Sequence, residues 1–325
     1  MSVVKHIVDQ RKKEVWIGMT QIYFPEGIKL YEKENLNAVS SLEQLRLAQK
    51  RGMILEGLAV ACTAEHDLVV ELPCGRAVIP RTECARGIAE GTTRDIAILS
   101  RVGRPVSFVV TDAQSQPIRL SRRLAQEQTV AWAFDTLEPG DIIAARVTHL
   151  EPFGVFVDIG CGVPSFIGIE HLSVSRIFHP SERFTVGQSI YAAVLCMDRA
   201  RSRISLTHRE LLGTWEQNAA LFHPCETVPG VVRSVEEYGI FVELTPNLSG
   251  LAERKPDMKN GDRVSVYIKS ILPSRMKIKL NIIDLLRDQP PFQPPLHYYI
   301  TEGRLQEWVY SPASCVNKHI ATVFC

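Results

Sequence analysis

Residues 153–159 read Phe-Gly-Val-Phe-Val-Asp-Ile, and residues 238–244 repeat the pattern as Tyr-Gly-Ile-Phe-Val-Glu-Leu. Both segments hold an aromatic residue, a glycine, an aliphatic residue, a phenylalanine, a valine, an acid and a second aliphatic residue. Such a segment is typical of a short β-strand. Because the phrase occurs twice, we expect a repeated domain.

The two aromatic residues of each phrase stand three positions apart. Successive strand residues point to opposite faces, so the pleat alone would place Phe153 and Phe156 on opposite faces. A bulge or bend at Gly154 could bring both rings to one face. Two rings on a solvent-facing strand, beside basic groups, would form a stacking surface for unpaired bases.

Short β-rich runs surround both phrases in the same order. The last run of each unit is Arg203-Ile204-Ser205-Leu206 in one case and Lys277-Ile278-Lys279-Leu280 in the other. Each unit is roughly 60–75 residues long, which predicts a small barrel of about five strands. A third and fainter copy begins near Gly52, with His66 and Val69 at the positions of the aromatic pair.

This ordered frame resembles the bacterial small-subunit ribosomal protein S1 family, in a short three-repeat form. The repeat of that family is an OB-fold RNA-binding module. The resemblance covers residues 50–285 and is strongest over 139–208. In the family, the RNA face uses two aromatics on the second strand, a histidine on the third, and an acid and a basic residue near the last.

The resemblance assigns RNA-binding residues to two of the repeats. The middle repeat matches the family at Phe153, Phe156, His171, Asp198 and Arg203. The third repeat matches at Tyr238, Phe241 and Lys277. At the histidine position we expect Glu253 in the third repeat and Pro80 in the first, which also lacks the aromatic pair.

The expected fold class is all-β dominated, with three tandem five-stranded OB-fold barrels joined by short helical connectors. We expect a poorly structured extension at 1–38, followed at 39–123 by a short helix and a degenerate barrel. Two RNA-binding barrels are predicted at 139–208 and 225–286. The chain should end in a proline-rich linker and an apolar aromatic tail at 289–325. We expect the tail either to fold back on a repeat or to dock on a partner.

Three helices are predicted outside the barrels. The first covers 41–50, with Ser40 and Glu43 as a capping box and Gly52 at its end. The other two are connectors, from Arg122 to Thr136 and from His208 to Phe222. Each connector carries a central tryptophan, which we expect to pack against a barrel.

Composition excludes several classes of function. The net charge of +1 argues against a polycationic nucleic-acid binder. No phosphate loop, His-Glu-x-x-His run or nucleophile elbow occurs, and none of the eight cysteines forms a Cys-x-x-Cys pair. We therefore expect no catalytic residue, metal, cofactor or small-molecule substrate. No apolar stretch approaches roughly 20 residues, so we expect no membrane span. With no signal peptide, we expect the cysteines to be reduced thiols in a cytoplasmic protein.

The resemblance implies a non-enzymatic protein that binds single-stranded RNA, specifically mRNA at the small ribosomal subunit during translation. One alternative stays open: an RNA-associated adaptor that docks a ribonuclease or a transcription factor.

The net charge near zero predicts that RNA binding depends weakly on salt. The logarithm of the affinity should fall with the logarithm of salt at a slope of roughly −2 to −4, given about 0.7 per phosphate contact on single strands. A titration of the protein into labelled, unstructured RNA at several salt concentrations measures this slope. A slope steeper than about −6 would contradict the prediction.

Overall fold

A computed structural model describes residues 22–286 and 294–325. Over these residues the chain forms three closed five-stranded barrels, called here the first, middle and third barrels. The first contains β1 (Ile54–Cys62), β2 (Leu68–Leu72), β3 (Gly75–Ile79), β4 (Pro105–Asp112) and β5 (Ile118–Ser121). The middle contains β6 (Ile142–Glu151), β7 (Gly154–Asp158), β8 (Pro164–Gly168), β9 (Ser189–Asp198) and β10 (Arg203–Thr207). The third contains β11 (Thr227–Glu236), β12 (Gly239–Thr245), β13 (Leu248–Ala252), β14 (Arg263–Leu272) and β15 (Lys277–Leu285).

All three barrels have the same topology. The first strand of each pairs with its second and fourth strands, and the third strand pairs in parallel with the fifth. This order, closed by one parallel pair, is the topology of the OB-fold. The predicted fold class of three tandem OB-fold barrels is therefore confirmed.

Inward-facing aliphatic residues of the repeated phrase fill the barrels. In the middle barrel, Val155 and Val157 are fully buried, and in the third barrel Ile240 and Val242 are buried in the same way. Burying one such side chain stabilises the fold by about 1.5–3 kcal/mol. The phrase therefore recurs because each barrel needs the same inward face.

Short helices join and flank the barrels. The α-helices are α1 (Lys33–Ala38), α2 (Leu42–Arg51), α3 (Ile96–Leu99), α4 (Arg122–Thr136) and α5 (Trp215–Ala219). Single 3₁₀ turns occur at Arg81–Glu83, Ile169–His171, Pro180–Glu182, Arg209–Leu212 and Pro273–Arg275. No helix in the described ranges combines the length and apolar character needed to cross a bilayer.

The cap of α2 differs by one residue from the prediction. Ser41 caps the helix, because its hydroxyl accepts from the Gln44 N–H at 3.3 Å. The predicted cap at Ser40 is wrong, since that hydroxyl instead donates to the carbonyl of Asn37 at 2.7 Å. The end of the helix at Gly52 is confirmed, and this glycine adopts a left-handed conformation with φ of 61°.

The two connectors behave differently. Helix α4 has the predicted bounds. The predicted helix from His208 to Phe222 is wrong, because it is interrupted at Gly213, where φ is +82° and an added Cβ would lie 2.5 Å from the Tyr299 ring. A capping box formed by Thr214 and Gln217 then starts the short α5.

Both connector tryptophans pack against a barrel, as predicted. Trp132 on α4 is half-buried against the core of the middle barrel. Trp215 on α5 is only 2% exposed and belongs to the core of the third barrel. Each connector therefore packs on the barrel that follows it in the chain.

Residues 22–38 differ from the expected poorly structured extension, while residues 1–21 lie outside the described part of the chain. Glu26 lies buried between the first and middle barrels. Its carboxylate accepts from the Arg122 Nε at 2.6 Å and from the Ser107 N–H at 3.0 Å. Its own N–H donates to the Asp158 carboxylate at 2.7 Å, and its carbonyl accepts from the Arg146 Nη1 at 2.7 Å.

The middle and third barrels meet at a second buried charge cluster. Glu243, which holds the same place in the repeated phrase as Asp158, is fully buried. It pairs with Arg183 of the middle barrel and with Arg233 of its own barrel. The acid of the phrase therefore lies at a barrel–barrel contact in both repeats.

The C-terminal tail folds back on the barrels, which is one of the two alternatives left by the sequence. A two-stranded sheet of β16 (Glu307–Val309) and β17 (Ala321–Val323) lies in it. Trp308 and Tyr310 are buried in the core cluster of the third barrel, and the Tyr298 hydroxyl lies 2.9 Å from the Nε2 of His208. Of the predicted proline-rich linker, residues 289–293 lie outside the described part of the chain.

The buried carboxyl of Glu56 makes the contact between the first and middle barrels sensitive to pH. Burial, together with the nearby acids Glu26 and Asp158, raises the pKa of Glu56 to about 7. The folded protein therefore holds a proton that the unfolded chain releases above its lower, ordinary pKa. The stability linked to this proton is present below the ordinary pKa of about 4.3 and is lost as the pH rises through about 7.

Replacing Glu56→Gln keeps an acceptor for the Gly27 N–H and removes the titration. Relative to this variant, the wild type should lose roughly 3 kcal/mol of unfolding free energy between about pH 4 and pH 8. Urea unfolding across this pH range measures the difference, with the exposed Glu71→Gln as the control. Parallel pH profiles for the wild type and Glu56→Gln would contradict the prediction.

Candidate nucleic-acid interface

Three phenylalanine rings cluster on the outer surface of the middle barrel. The ring centroids of Phe153 and Phe156 lie 6.3 Å apart with an interplanar angle of 89°. Phe166 lies 5.8 Å from Phe153 and 5.2 Å from Phe156. Phe153 is 58% exposed. These three rings, called here the aromatic face, offer apolar surface on which unpaired bases can stack.

A close backbone approach at Gly154 brings the two aromatics of the phrase together. Gly154 has φ of +158°, and an added Cβ would lie 2.3 Å from the carbonyl oxygen of Ile167. Only glycine fits there. Phe153 precedes β7 and turns toward Phe156 at this bend, so both rings occupy one face.

Phe166 was not predicted from the sequence. In the antiparallel pair of β7 and β8 it lies directly opposite Phe156. Cross-strand neighbours on one face approach closely, which explains the ring contact. Phe166 alternates along the strand with the buried Ser165 and Ile167. This alternation is the signal that could have revealed an outward-facing ring. His149 adds a fourth ring, with its centroid 6.5 Å from that of Phe156.

The β9–β10 hairpin presents arginines beside the aromatic face. Arg203 is exposed and lies opposite Asp198 in the strand register. The Asp198 carboxylate accepts from the backbone N–H of Arg201 at 3.0 Å. This acid therefore shapes the turn between β9 and β10, which holds Arg201 and leads into Arg203. Arg199 is directed elsewhere, with its guanidinium over the ring of Phe134 at 5.6 Å.

His171 lies in the 3₁₀ turn after β8 and not on the strand itself. Its Nδ1 is buried with no hydrogen-bond partner in the described residues, and its Nε2 lies 3.6 Å from a carboxylate oxygen of Glu170. Burial first, and the Arg209 guanidinium second, lower the pKa of His171 below its usual value. The imidazole is therefore neutral at neutral pH and can both donate and accept a hydrogen bond.

The third barrel repeats the aromatic pair with nearly the same geometry. Tyr238 is 70% exposed, and its centroid lies 6.2 Å from that of Phe241 at 85°. Leu251 occupies the cross-strand position that Phe166 holds in the middle barrel. Lys277 begins β15 opposite Leu272. This barrel therefore offers two rings where the middle barrel offers three, with Lys277 and the exposed Lys279 on the neighbouring strand.

The strand registers correct the predicted histidine positions of the other two barrels. They align both Glu253 and Pro80 with Gly168, three residues before His171. The predicted positions are wrong because they place the histidine on the third strand, whereas His171 lies in the turn after that strand. In the first barrel, the equivalent 3₁₀ turn places Glu83 at that position. Glu253 instead pairs with Lys269 at 2.8 Å.

The first barrel has no aromatic pair on its second strand, as the sequence indicates. His66, at the position of Phe153, has φ of 66° and a nitrogen 3.0 Å from the Asp95 carboxylate. Arg81 pairs with the same carboxylate at 2.8 Å. His66 therefore has a structural role in a local ion-pair cluster.

A groove of about 1150 Å³ separates the first and middle barrels, called here the inter-barrel groove. The aromatic face, Arg201 and Arg203 line one side of it, and residues 85–101 of the first barrel line the other. Neither His171 nor Asp198 lines this groove. In the described ranges no cluster of three metal-ligating side chains occurs.

The three barrels define a tandem OB-fold protein, and the middle barrel carries the exposed rings typical of single-strand binding surfaces. Residues 136–209 match the family model described as the S1 RNA binding domain. This match confirms the resemblance of the middle repeat to the S1 family.

Relatives that match most of this chain are named as small ribosomal subunit protein bS1. The small ribosomal subunit protein bS1 of Staphylococcus aureus (strain COL) is 33% identical over 247 residues, which cover 73% of this chain and 61% of that protein. The bS1 protein of Leuconostoc lactis is 26% identical over 274 residues, covering 79% and 62%. The chain thus spans about three fifths of the length of these relatives.

Among solved structures, a multidomain protein with nucleic acid binding domains from Streptococcus pneumoniae TIGR4 is similar. It is 17% identical, with a TM-score of 0.24 over 72% of this chain and 74% of that chain.

Removing single rings tests the aromatic face. Phe153→Ala, Phe156→Ala and Phe166→Ala should each weaken binding of unstructured RNA by about 1–3 kcal/mol, the usual contribution of one stacked base. Phe241→Ala should weaken it less, because the third barrel lacks the third ring. Fluorescence anisotropy with a labelled oligouridine measures the affinity.

The matched control is Phe178→Ala, which removes a phenylalanine that is exposed on the middle barrel outside the inter-barrel groove. This variant should bind RNA like the wild type. If the three aromatic-face variants fold and also bind like the wild type, the assignment of this face is wrong.

Proposed function

We propose that the chain binds single-stranded RNA through the aromatic face of the middle barrel and acts on mRNA in translation at the small ribosomal subunit. The observation that carries this proposal is the three-ring cluster beside an arginine without an ion-pair partner. Among the described residues, Arg203 makes no side-chain hydrogen bond or ion pair, although its neighbours Arg199 and Arg201 do.

The chemistry of this surface favours single strands over duplexes. The rings can stack only on bases whose faces are exposed, and every base has such a face. The arginines meet phosphate oxygens, which carry no sequence information. Binding should therefore be tolerant of sequence, with stacking as the main source of affinity and a small number of phosphate contacts added.

The assignment to translation is supported by the relatives, which are named as small ribosomal subunit proteins. Association with the ribosome would place the protein in the cytoplasm. No enzymatic role is proposed, because these relatives are ribosomal proteins and the aromatic face offers stacking and charge instead of a nucleophile or a general base.

One observation favours a second function, that of an adaptor for a ribonuclease or a transcription factor. The first barrel exposes a group of apolar side chains on and after α3, namely Ile96, Leu99 and Val102. Exposed apolar patches often mark protein contacts. Such a contact is compatible with RNA binding on the middle barrel.

Co-sedimentation separates the two functions. The full chain is mixed with purified bacterial small or large subunits and a labelled oligouridine, and each mixture is centrifuged through sucrose. The chain should sediment with small subunits, and less RNA should join the pellet with Phe156→Ala than with the wild type or Phe178→Ala. A chain that stays in the supernatant with both subunits would contradict the ribosomal proposal.

A further inference from the structure

The wall of the inter-barrel groove opposite the aromatic face comes from the first barrel. The segment between β3 and β4 supplies it, with mostly small and polar side chains. Those that line the groove include Ala85, Arg86, Gly87, Thr92, Thr93 and Ala97. Small side chains on this wall leave the space between the two barrels open.

The backbone of this wall is fixed around Arg86. The Arg86 N–H donates to the Gln126 Oε1 at 3.0 Å, and its carbonyl accepts from the Thr93 hydroxyl at 2.7 Å. Gly87 has φ of +82°, and an added Cβ would lie 2.4 Å from the Thr92 hydroxyl. The local conformation is therefore held by backbone contacts and does not depend on the Arg86 side chain.

Gln126 connects this wall to the opposite one. Its Oε1 accepts from Arg86 of the first barrel, while its Nε2 donates to the Gly162 carbonyl of the middle barrel at 2.9 Å. Gln126 is only 4% exposed. This buried amide and the Glu26 cluster together hold the two walls at one separation, and the groove exists before any ligand binds.

The unneutralised charge of the groove is positive. Arg86 makes no side-chain hydrogen bond or ion pair among the described residues, and the same holds for Arg203 across the groove. Three acids line the groove: Glu127 is paired with Arg123 at 2.7 Å, Asp158 is buried in the contact between the barrels, and Glu90 is exposed on the same wall as Arg86. The two guanidinium groups of Arg86 and Arg203 therefore outnumber the one exposed carboxylate that has no ion pair among the described residues. A guanidinium of this kind is suited to bidentate contacts with phosphate.

The size of the groove favours a polymer. At about 1150 Å³ it exceeds the usual volume of a small-molecule pocket. One wall offers rings for bases, and both walls offer guanidinium groups for phosphates.

We propose that the first barrel completes the RNA site of the middle barrel. A single strand lies in the inter-barrel groove with bases stacked on the aromatic face and with phosphates held by Arg203 on one side and Arg86 on the other. This proposal rests on the proposed function of the aromatic face. It gives the first barrel, which has no aromatic pair of its own, a direct contact with the RNA.

The test uses the full chain, a labelled oligouridine and anisotropy titrations at several salt concentrations. Arg86→Ala should weaken binding about tenfold, as expected for one charge-assisted contact, and should make the salt slope shallower by about 0.7. Arg86→Lys, which keeps the charge, should recover most of the affinity. The control is Arg46→Ala, which removes an exposed arginine of α2 outside the groove and should change neither value.

If Arg86→Ala matches Arg46→Ala in both affinity and salt slope, the proposal is overturned. Its failure is distinguishable from failure of the proposed function, because Phe156→Ala would then still weaken binding. If Phe156→Ala also binds like the wild type, the aromatic face itself is not the RNA site. Urea unfolding verifies that each variant is folded, and Arg86→Gln replaces Arg86→Ala if the alanine variant is destabilised.

Discussion

The buried ion pair between Glu26 and Arg122 is the constraint on which the arrangement of the barrels depends. The two side chains are almost completely buried, and the Glu26 N–H also binds the Asp158 carboxylate of the middle barrel. Removing one partner from a buried pair typically costs about 3–5 kcal/mol, since the other charge is left uncompensated. The first barrel is therefore held in one position against the middle barrel.

The repeated phrase combines two functions on one strand face. Phe156 and Asp158 both point outward from β7, the ring toward the inter-barrel groove and the acid toward the Glu26 cluster. Because the two side chains are two residues apart, the contact that positions the first barrel lies next to the rings. The same strand thus fixes both walls of the groove, which reduces the ordering that binding requires. In the third barrel, Glu243 makes a similar barrel contact, and Phe241 stands beside it.

Repetition in the sequence predicted the fold and the aromatic pair of the candidate site. The alternation around Val155 and Val157 predicted the barrel strands, and Gly154 indicated a bend that could join the rings. Phe166 has no counterpart in the third repeat, where Leu251 stands, so comparing repeats could not reveal it. The histidine positions were misaligned because His171 lies in the turn after the third strand and not on the strand itself. The Glu26–Asp158 contact joins residues 132 positions apart and has no local pattern.

The central claim is that one strand of RNA touches two barrels at once. Ultraviolet crosslinking of the full chain to an oligouridine, followed by mass spectrometry of the crosslinked peptides, tests this most directly. The account predicts crosslinks in 85–101 of the first barrel and in 153–166 of the middle barrel from the same complex. Crosslinks confined to the third barrel, or to the middle barrel alone with none in 85–101, would contradict it.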